Sequence, residues 1–209
     1  YDITDFDQFK SALLNFGKKF SNFCFLDNHN YEFDKTFECI AGCGKVQSIN
    51  ADEENNFRKV DQFKTENTDW IFGHVSYDLK NEIENLSSEN EDLIGFPGFY
   101  FFIPEIVFIL SKEKVEIGIL ENGNAKKIFE EIVSIIPEEH NYSKPKLQSK
   151  FTKNQSLKTV TQLQQHIARG SYYELCFYQE FFSEGVQIDP IIFFEILIYN
   201  DDCWIILLQ

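Results

Sequence analysis

The stretch between residues 99 and 120 constrains the fold more than any other part of the chain. Residues 99–110 are rich in Phe, Ile and Val and contain Pro104, and the polar residues 111–113 separate them from a second apolar run over 115–120. Two β-prone runs joined by a short polar turn predict an antiparallel hairpin. Because proline has no N–H for the strand ladder, Pro104 predicts an edge position or a bulge. The chain is therefore expected to contain at least one antiparallel sheet.

Apolar residues elsewhere follow helical and strand periods in alternation. Phe6, Phe9, Leu13, Phe16 and Phe20 recur at three- and four-residue intervals, which predicts a helix over residues 5–20 with a capping start at 4–7. Further helices are predicted over 52–66, 79–86, 124–136 and 157–169 and from residue 189, and short strands over 23–26, 37–41, 45–49, 172–182 and 203–208. This mixture predicts an α+β fold in which antiparallel β-sheets are flanked by helices.

Composition narrows the classes of partner. The chain has 23 Phe among 209 residues, and at roughly 150–250 Å² buried per aromatic side chain these can supply much of a core. A formal net charge of −15 leaves no basic footprint, so we expect no nucleic acid and no anionic membrane as partner. No apolar run is long enough to span a bilayer. Five Cys without a zinc-type spacing indicate reduced buried thiols, and together these features predict a cytoplasmic protein.

The composition of residues 137–156 is that of a linker, with Pro, Glu, Ser, Lys, Asn and Gln prevailing. It predicts an N-terminal α+β domain over residues 1–150 and a second domain over 157–209. The sequence contains no Met, so we expect either that it begins inside its gene or that residues are missing from it. His74 alternates with apolar neighbours and is interpreted as a structural histidine, since no carboxylate or Cys cluster accompanies it.

Four N-terminal stretches resemble one enzyme family. Residues 70–82 read W-x-F-G-x-x-x-Y-D-x-x-x-E, residues 96–105 read F-P-x-x-x-F-F-x-P-E, and residues 37–42 form a similar strand. These stretches resemble the N-terminal half of component I of aminodeoxychorismate (para-aminobenzoate) synthase and of its relative anthranilate synthase. The fourth stretch comprises Phe25, Leu26, Asp27 and Asn28, and it stands where anthranilate synthases carry an L-L-E-S element that lines a regulatory tryptophan site. The resemblance implies a tryptophan-sized pocket there, with tryptophan as a hypothetical effector.

Residues 170–181 resemble the opening of the chorismate-binding domain of the same family. The agreeing residues are Gly170, Tyr173, Glu174, Phe177, Gln179 and Phe181. Ser171, Cys176 and Tyr178 depart from the family pattern, which usually has Asp, Asn and a small residue there. The N-P-x-P stretch that follows in the family is missing, and about a dozen expected residues are absent before residue 203.

The resemblance implies an activity that these 209 residues do not complete. Such enzymes convert chorismate and ammonia, supplied by a glutamine amidotransferase partner, to 4-amino-4-deoxychorismate with Mg²⁺. The resemblance spans about half of a typical member, so catalytic residues and Mg²⁺ ligands are expected after residue 209, and no metal site is expected before it. Two alternatives stay open: anthranilate synthase component I, and a non-catalytic regulatory or interaction module that has lost the active half. The departures at Ser171 and Cys176 favour the module.

Overall fold

A computed structural model of the chain confirms the α+β class with antiparallel sheets. The structure describes residues 1–31, 37–51, 55–84, 86–87, 92, 95–120, 123–136, 146–187 and 189–199, with side chains up to Glu195 in the last range. The chain divides into two compact units, which are Tyr1–Glu138 with Pro190–Gln209, and Glu139–Asp189. Within the described part of the chain, no helix combines the length and the apolar character that crossing a membrane requires.

A four-stranded antiparallel sheet, here called sheet 1, organises the first unit. Its strands follow the order β1 (Phe23–Asp27), β2 (Cys39–Cys43), β6 (Ile106–Leu110) and β7 (Val115–Ile119). The last two form the hairpin that the sequence predicts. Successive side chains alternate between the two faces of a strand, so each strand contributes to two different layers of packing.

Three helices cover one face of sheet 1, here called the helix face. They are α1 (Phe6–Gly17), α4 (Ala125–Val133) and α6 (Pro190–Tyr199). The main core lies between these helices and the sheet, where Leu13, Phe108 and Ile132 are fully buried and Phe194 of α6 joins them. The helix that opens at residue 190 therefore packs within the first unit. The predicted division into domains 1–150 and 157–209 stays a prediction.

A smaller sheet, sheet 2, packs against the opposite face of sheet 1. Its antiparallel order is β3 (Gln47–Asn50), β5 (Phe99–Ile103) and β4 (Phe72–Val75). Cys24, Ile40 and Val107 of sheet 1 form a second buried cluster with Phe72 and Phe102 of sheet 2. A Cβ atom on Gly42 would lie 2.9 Å from the ring of Phe72, so this close approach of the layers requires glycine.

Pro104 corrects the prediction of an edge position or a bulge. It lies between the middle strand of sheet 2 and an inner strand of sheet 1, and its side chain is fully buried. Pro104 and Glu105 are the two residues that connect β5 in sheet 2 to β6 in sheet 1. Because Pro104 stands outside both ladders, its missing N–H removes no strand hydrogen bond.

Helix starts differ from the sequence prediction where another polar side chain provides the cap. Asp5 caps α1, since its carboxylate accepts a hydrogen bond from Gln8 N at 2.9 Å. The helix α2 (Asn56–Glu66) begins after residues 52–54, which lie outside the described residues. After β4 the chain forms a 3₁₀ turn over Tyr77–Lys80 and a short helix, α3 (Asn81–Glu84).

The second unit consists of α5 (Lys153–Ala168) and a two-residue pairing of β8 (Gln148–Ser149) with β9 (Phe181–Phe182). The helix starts four residues before the predicted position because Thr152 and Gln155 form a capping box. The predicted strand over 172–182 is wrong except at its end, because β8 offers only two residues for pairing. The predicted strand over 203–208 lies outside the described residues.

Candidate functional site

The strongest candidate site is a cavity of about 390 Å³ between the two sheets, here called the sheet cavity. Its lining draws on three of the stretches that carry the family resemblance, 25–28, 37–42 and 70–82, and on Phe101 from a fourth, 96–105. Residues far apart in the chain meet here because β1 pairs with β2 while β4 and β5 belong to the facing sheet. The stretches that occur in the family's order along the sequence thus also lie next to one another in the fold.

Apolar side chains form most of the sheet cavity. Leu26, which is 40% exposed, and the buried Ile40 are cross-strand partners on the face of sheet 1 that looks toward sheet 2. Trp70, 44% exposed, and Phe72 line the cavity from the facing side, with ring centroids 6.3 Å apart. A Cβ atom on Gly73 would lie 2.0 Å from the carbonyl oxygen of Tyr100, which explains the glycine of the W-x-F-G motif.

Phe25 and Asp27 point to the helix face and away from the apolar wall formed by Leu26. Phe25 is buried there and meets the ring of Phe194 edge-on at 5.5 Å. The carboxylate of Asp27 pairs with Lys10 of α1 and accepts a hydrogen bond from His29 N at 2.8 Å. Burial, reinforced by the charge of Asp27, raises the pKa of the neighbouring Cys39 thiol. The positive charge of Lys10 thus balances the negative charge of Asp27.

A polar pair, Glu38 and Asn28, lines the sheet cavity beside the apolar side chains. Glu38 is only 6% exposed, and its Oε2 accepts a hydrogen bond from Asn28 Nδ2 at 2.9 Å. The backbone holds the two residues together, because Asn28 N donates to the carbonyl of Glu38 at 2.9 Å. Sequence reasoning did not select Glu38. The available signal was an acidic residue immediately before the buried run of β2.

Glu82, the last residue of the 70–82 motif, has a structural role. Its carboxylate accepts hydrogen bonds from Asn56 N, at 2.8 Å to Oε1 and 3.2 Å to Oε2. The preceding residue Asn55 has a left-handed backbone (φ 62°) and provides no side-chain cap. His74 of the same motif contacts the carbonyl of Pro97 through Nε2 at 3.3 Å, in agreement with its interpretation as a structural histidine.

The 170–181 motif lies in the second unit and is brought together only in part. Gly170 ends α5 with φ 77°, and Gln179 connects to the start of that helix. Its Nε2 donates to the carbonyl of Phe151 at 3.0 Å, and its Oε1 accepts from Ser156 at 2.9 Å. Tyr173, 98% exposed, and Glu174 lie on the surface. Of the predicted motif residues, Gln179 therefore has a clear positioning role.

Cys176 and Tyr178, two of the residues that differ from the family pattern, interact with each other. A hydrogen bond with Cys176 raises the pKa of Tyr178, and both side chains are exposed. Cys24, Cys39 and Cys43 are free and buried, as predicted, whereas the exposed position of Cys176 corrects the prediction of a buried thiol there. Burial raises the pKa of Cys24 to about 11, so this thiol stays protonated at neutral pH. Cys203 lies outside the described residues.

Among the described residues, no group of three or more His, Cys, Asp or Glu side chains is placed to hold a metal ion. The two carboxylates that line the sheet cavity have polar partners within the protein: Asp27 pairs with Lys10, and Glu38 Oε2 accepts a hydrogen bond from Asn28. We therefore assign no Mg²⁺ ligand and derive no metal-dependent step from these side chains.

Residues 21–209 match the sequence model of the chorismate binding enzymes. The match includes both the lining of the sheet cavity and the 170–181 motif. With an α+β fold of antiparallel sheets, the chain belongs to the chorismate binding enzyme family, whose members act on chorismate. A comparison with curated proteins gave no match.

Proposed function

We propose that the chain is part of an aminodeoxychorismate synthase component I. The enzyme would convert chorismate to 4-amino-4-deoxychorismate, using ammonia from a glutamine amidotransferase partner and Mg²⁺. The observation that carries the proposal is the family match over residues 21–209, in which the ordered motifs at 70–82, 96–105 and 170–181 also resemble this branch. The residues that bind Mg²⁺ and make or break bonds are proposed to follow residue 209.

Anthranilate synthase component I is the second candidate. The observation in its favour is the sheet cavity, which includes Leu26, Asp27 and Asn28 at the place where those enzymes carry their L-L-E-S element. A non-catalytic module is the third candidate, favoured by Ser171 and Cys176 in the 170–181 motif.

One reaction distinguishes the three candidates. The protein expressed from its whole gene is incubated with chorismate, Mg²⁺ and ammonium, and the product is identified by mass spectrometry. Ammonium replaces the amidotransferase, so the result does not depend on a partner. We expect 4-amino-4-deoxychorismate. Anthranilate would assign the protein to the second candidate, and unchanged chorismate would favour the non-catalytic module.

For the sheet cavity we propose an aromatic amino acid of tryptophan size as ligand. Leu26, Trp70 and Phe72 offer apolar contact for the ring, and the carboxylate of Glu38 is placed to accept hydrogen bonds from the ammonium group. Calorimetry tests this with tryptophan and with indole-3-propionate, which lacks the ammonium group. The protein is first unfolded and refolded so that a non-exchanging ligand is removed. Equal binding of the two compounds would contradict a role for Glu38.

A further inference from the structure

The charged residues that line the sheet cavity in the described part of the chain are Asp27 and Glu38, and both are acidic. The carboxylate of Asp27 pairs with Lys10 on the helix face of sheet 1. Glu38 precedes Ile40 by two residues and therefore shares the opposite face, which looks toward sheet 2. Glu38 thus places a negative charge directly beside a ligand in the sheet cavity.

The position of the Glu38 carboxylate is fixed by the two neighbouring strands. Glu38 N donates to the carbonyl of Leu110 in β6 at 2.8 Å, and the carbonyl of Glu38 accepts from Asn28 N at 2.9 Å. The side chain is buried, and its Oε2 accepts a hydrogen bond from Asn28 Nδ2. Because a buried side chain in a packed layer has little freedom to turn away, the carboxylate stays where a ligand would contact it.

Aromatic rings in the sheet cavity favour positive charge as well. Trp70, Phe72 and Phe101 line the cavity from the side of sheet 2. The face of an aromatic ring carries a negative electrostatic potential, so it attracts an ammonium group and does not attract a carboxylate. These walls and Glu38 therefore favour the same kind of ligand, one with an apolar ring and a positive charge.

An α-amino acid brings a negative charge to the same place. Its carboxylate is bonded to the carbon that carries the ammonium group. An ammonium group in hydrogen-bond contact with Glu38 therefore holds the ligand carboxylate within about 5 Å of the Glu38 carboxylate. Two negative charges at that distance repel each other, and the repulsion is stronger near a protein surface than in water. Removing the ligand carboxylate should therefore strengthen binding.

We propose that the sheet cavity binds arylalkylamines, which have a ring and an ammonium group but no carboxylate, more tightly than the corresponding amino acids. This inference rests on the ligand proposed above for the cavity, and it specifies which of the two charged groups of that ligand the protein recognises. The ring contacts Leu26, Trp70 and Phe72, and the ammonium group contacts Glu38. An arylalkylamine would accordingly displace an equal concentration of tryptophan from the site.

The first test compares three ligands by calorimetry on the protein expressed from its whole gene and refolded. Tryptamine lacks the carboxylate of tryptophan, and tryptophan amide replaces it with a neutral group of the same size. The measurement is made at pH 6.5, where the amines are protonated, because an α-amino group has a pKa of roughly 7.7–8.0. We expect tryptamine and tryptophan amide each to bind about ten-fold more tightly than tryptophan.

The second test assigns the preference to Glu38. Glu38→Gln keeps the shape of the side chain and removes its charge, so the advantage of tryptamine over tryptophan should fall to about two-fold or less. Glu113→Gln, an exposed substitution at the 111–113 turn, is the matched control and should retain the full preference. Tryptamine should therefore lose more affinity in Glu38→Gln than tryptophan does.

The outcomes separate this inference from the ligand proposed above. Tryptophan binding at least as tightly as both analogues without the carboxylate would overturn the preference and leave the tryptophan site in place. An undiminished preference in Glu38→Gln would overturn the inference as well. Binding of tryptamine without binding of tryptophan would support the preference and overturn tryptophan as the ligand. Binding of none of the three compounds would overturn both proposals.

Discussion

Glu82 caps the first turn of α2 from another element of the fold: its Oε1 accepts a hydrogen bond from Asn56 N at 2.8 Å. Asn56 is the first residue of α2, whereas Glu82 lies in α3, which follows β4. A carboxylate at this position also interacts favourably with the positive end of the helix dipole. The 70–82 motif therefore caps α2 through Glu82 and forms one wall of the sheet cavity through Trp70 and Phe72.

We predict that Glu82→Ala lowers the free energy of unfolding by about 1–2 kcal/mol, the usual effect of losing an N-cap. Urea titration followed by circular dichroism measures the change. Glu84→Ala, an exposed substitution two residues further on, is the matched control and should alter stability by less than about 0.5 kcal/mol. Equal effects of the two variants would show that the Asn56 contact contributes nothing.

Phe25 and Leu26 are neighbours in β1 but lie on different faces of sheet 1. Substitution of Phe25 should therefore affect mainly stability, and substitution of Leu26 mainly ligand binding. Phe25→Ala should reduce the free energy of unfolding by about 3–4 kcal/mol, since Phe25 is buried against α6. Leu26→Ala should cost less than about 1.5 kcal/mol, since Leu26 is 40% exposed, but it should weaken tryptophan binding. Thermal unfolding and calorimetry on both variants separate the effects. A larger loss of stability for Leu26→Ala would contradict the assignment of faces.

Substitutions of Glu38 and Asp27, the two acidic residues that line the sheet cavity, should affect ligand binding and stability to different degrees. Glu38→Gln should weaken tryptophan binding about ten-fold or more, because it removes the charge that is proposed to face the ammonium group of the ligand. Asp27→Asn should act mainly on stability, because it leaves Lys10 without its buried partner. Binding is measured by calorimetry and stability by urea titration. Normal tryptophan affinity in Glu38→Gln would remove Glu38 from the proposed site.

Cys24 should make stability fall at alkaline pH. Burial raises the pKa of this thiol from 9.0 to about 11, so the unfolded chain loses the proton first as pH rises. The unfolded state then binds fewer protons, and the free energy of unfolding decreases between pH 9 and pH 11. At most about 1.4 kcal/mol is lost per pH unit. Cys24→Ala should reduce this slope. A slope unaltered by Cys24→Ala would contradict the prediction.

The sequence predicts most elements of the first unit because their signals are local. The stripe Phe6 to Phe20 and the turn at 111–113 each indicate one element without reference to the rest of the chain. The face on which each β1 side chain lies could also be predicted. Side chains alternate along a strand, so Leu26 lies on the opposite face from Phe25 and Asp27. The prediction of one pocket from all four residues ignored that alternation: Leu26, Asp27 and Asn28 line the sheet cavity, whereas Phe25 is buried on the helix face.

Features that depend on contacts between distant residues could not be predicted. Pro104 looked like a defect in one long strand, because nothing local shows that the strands on its two sides belong to different sheets. Glu38 gained its role only when β1 and β2 paired and placed Asn28 beside it. Whether Tyr172 and its successors form a strand depended on the length of β8, which the sequence of 172–182 does not contain.

The short passage through Pro104 and Glu105 has a consequence for how the first unit loses its structure. Only two residues separate β5 from β6, so Phe102 in one sheet and Phe108 in the other cannot be released separately without straining the connection. We expect their amide hydrogens to exchange through a single opening event with the same free energy. The sandwich would then behave as one cooperative body even though it is built from two separate ladders.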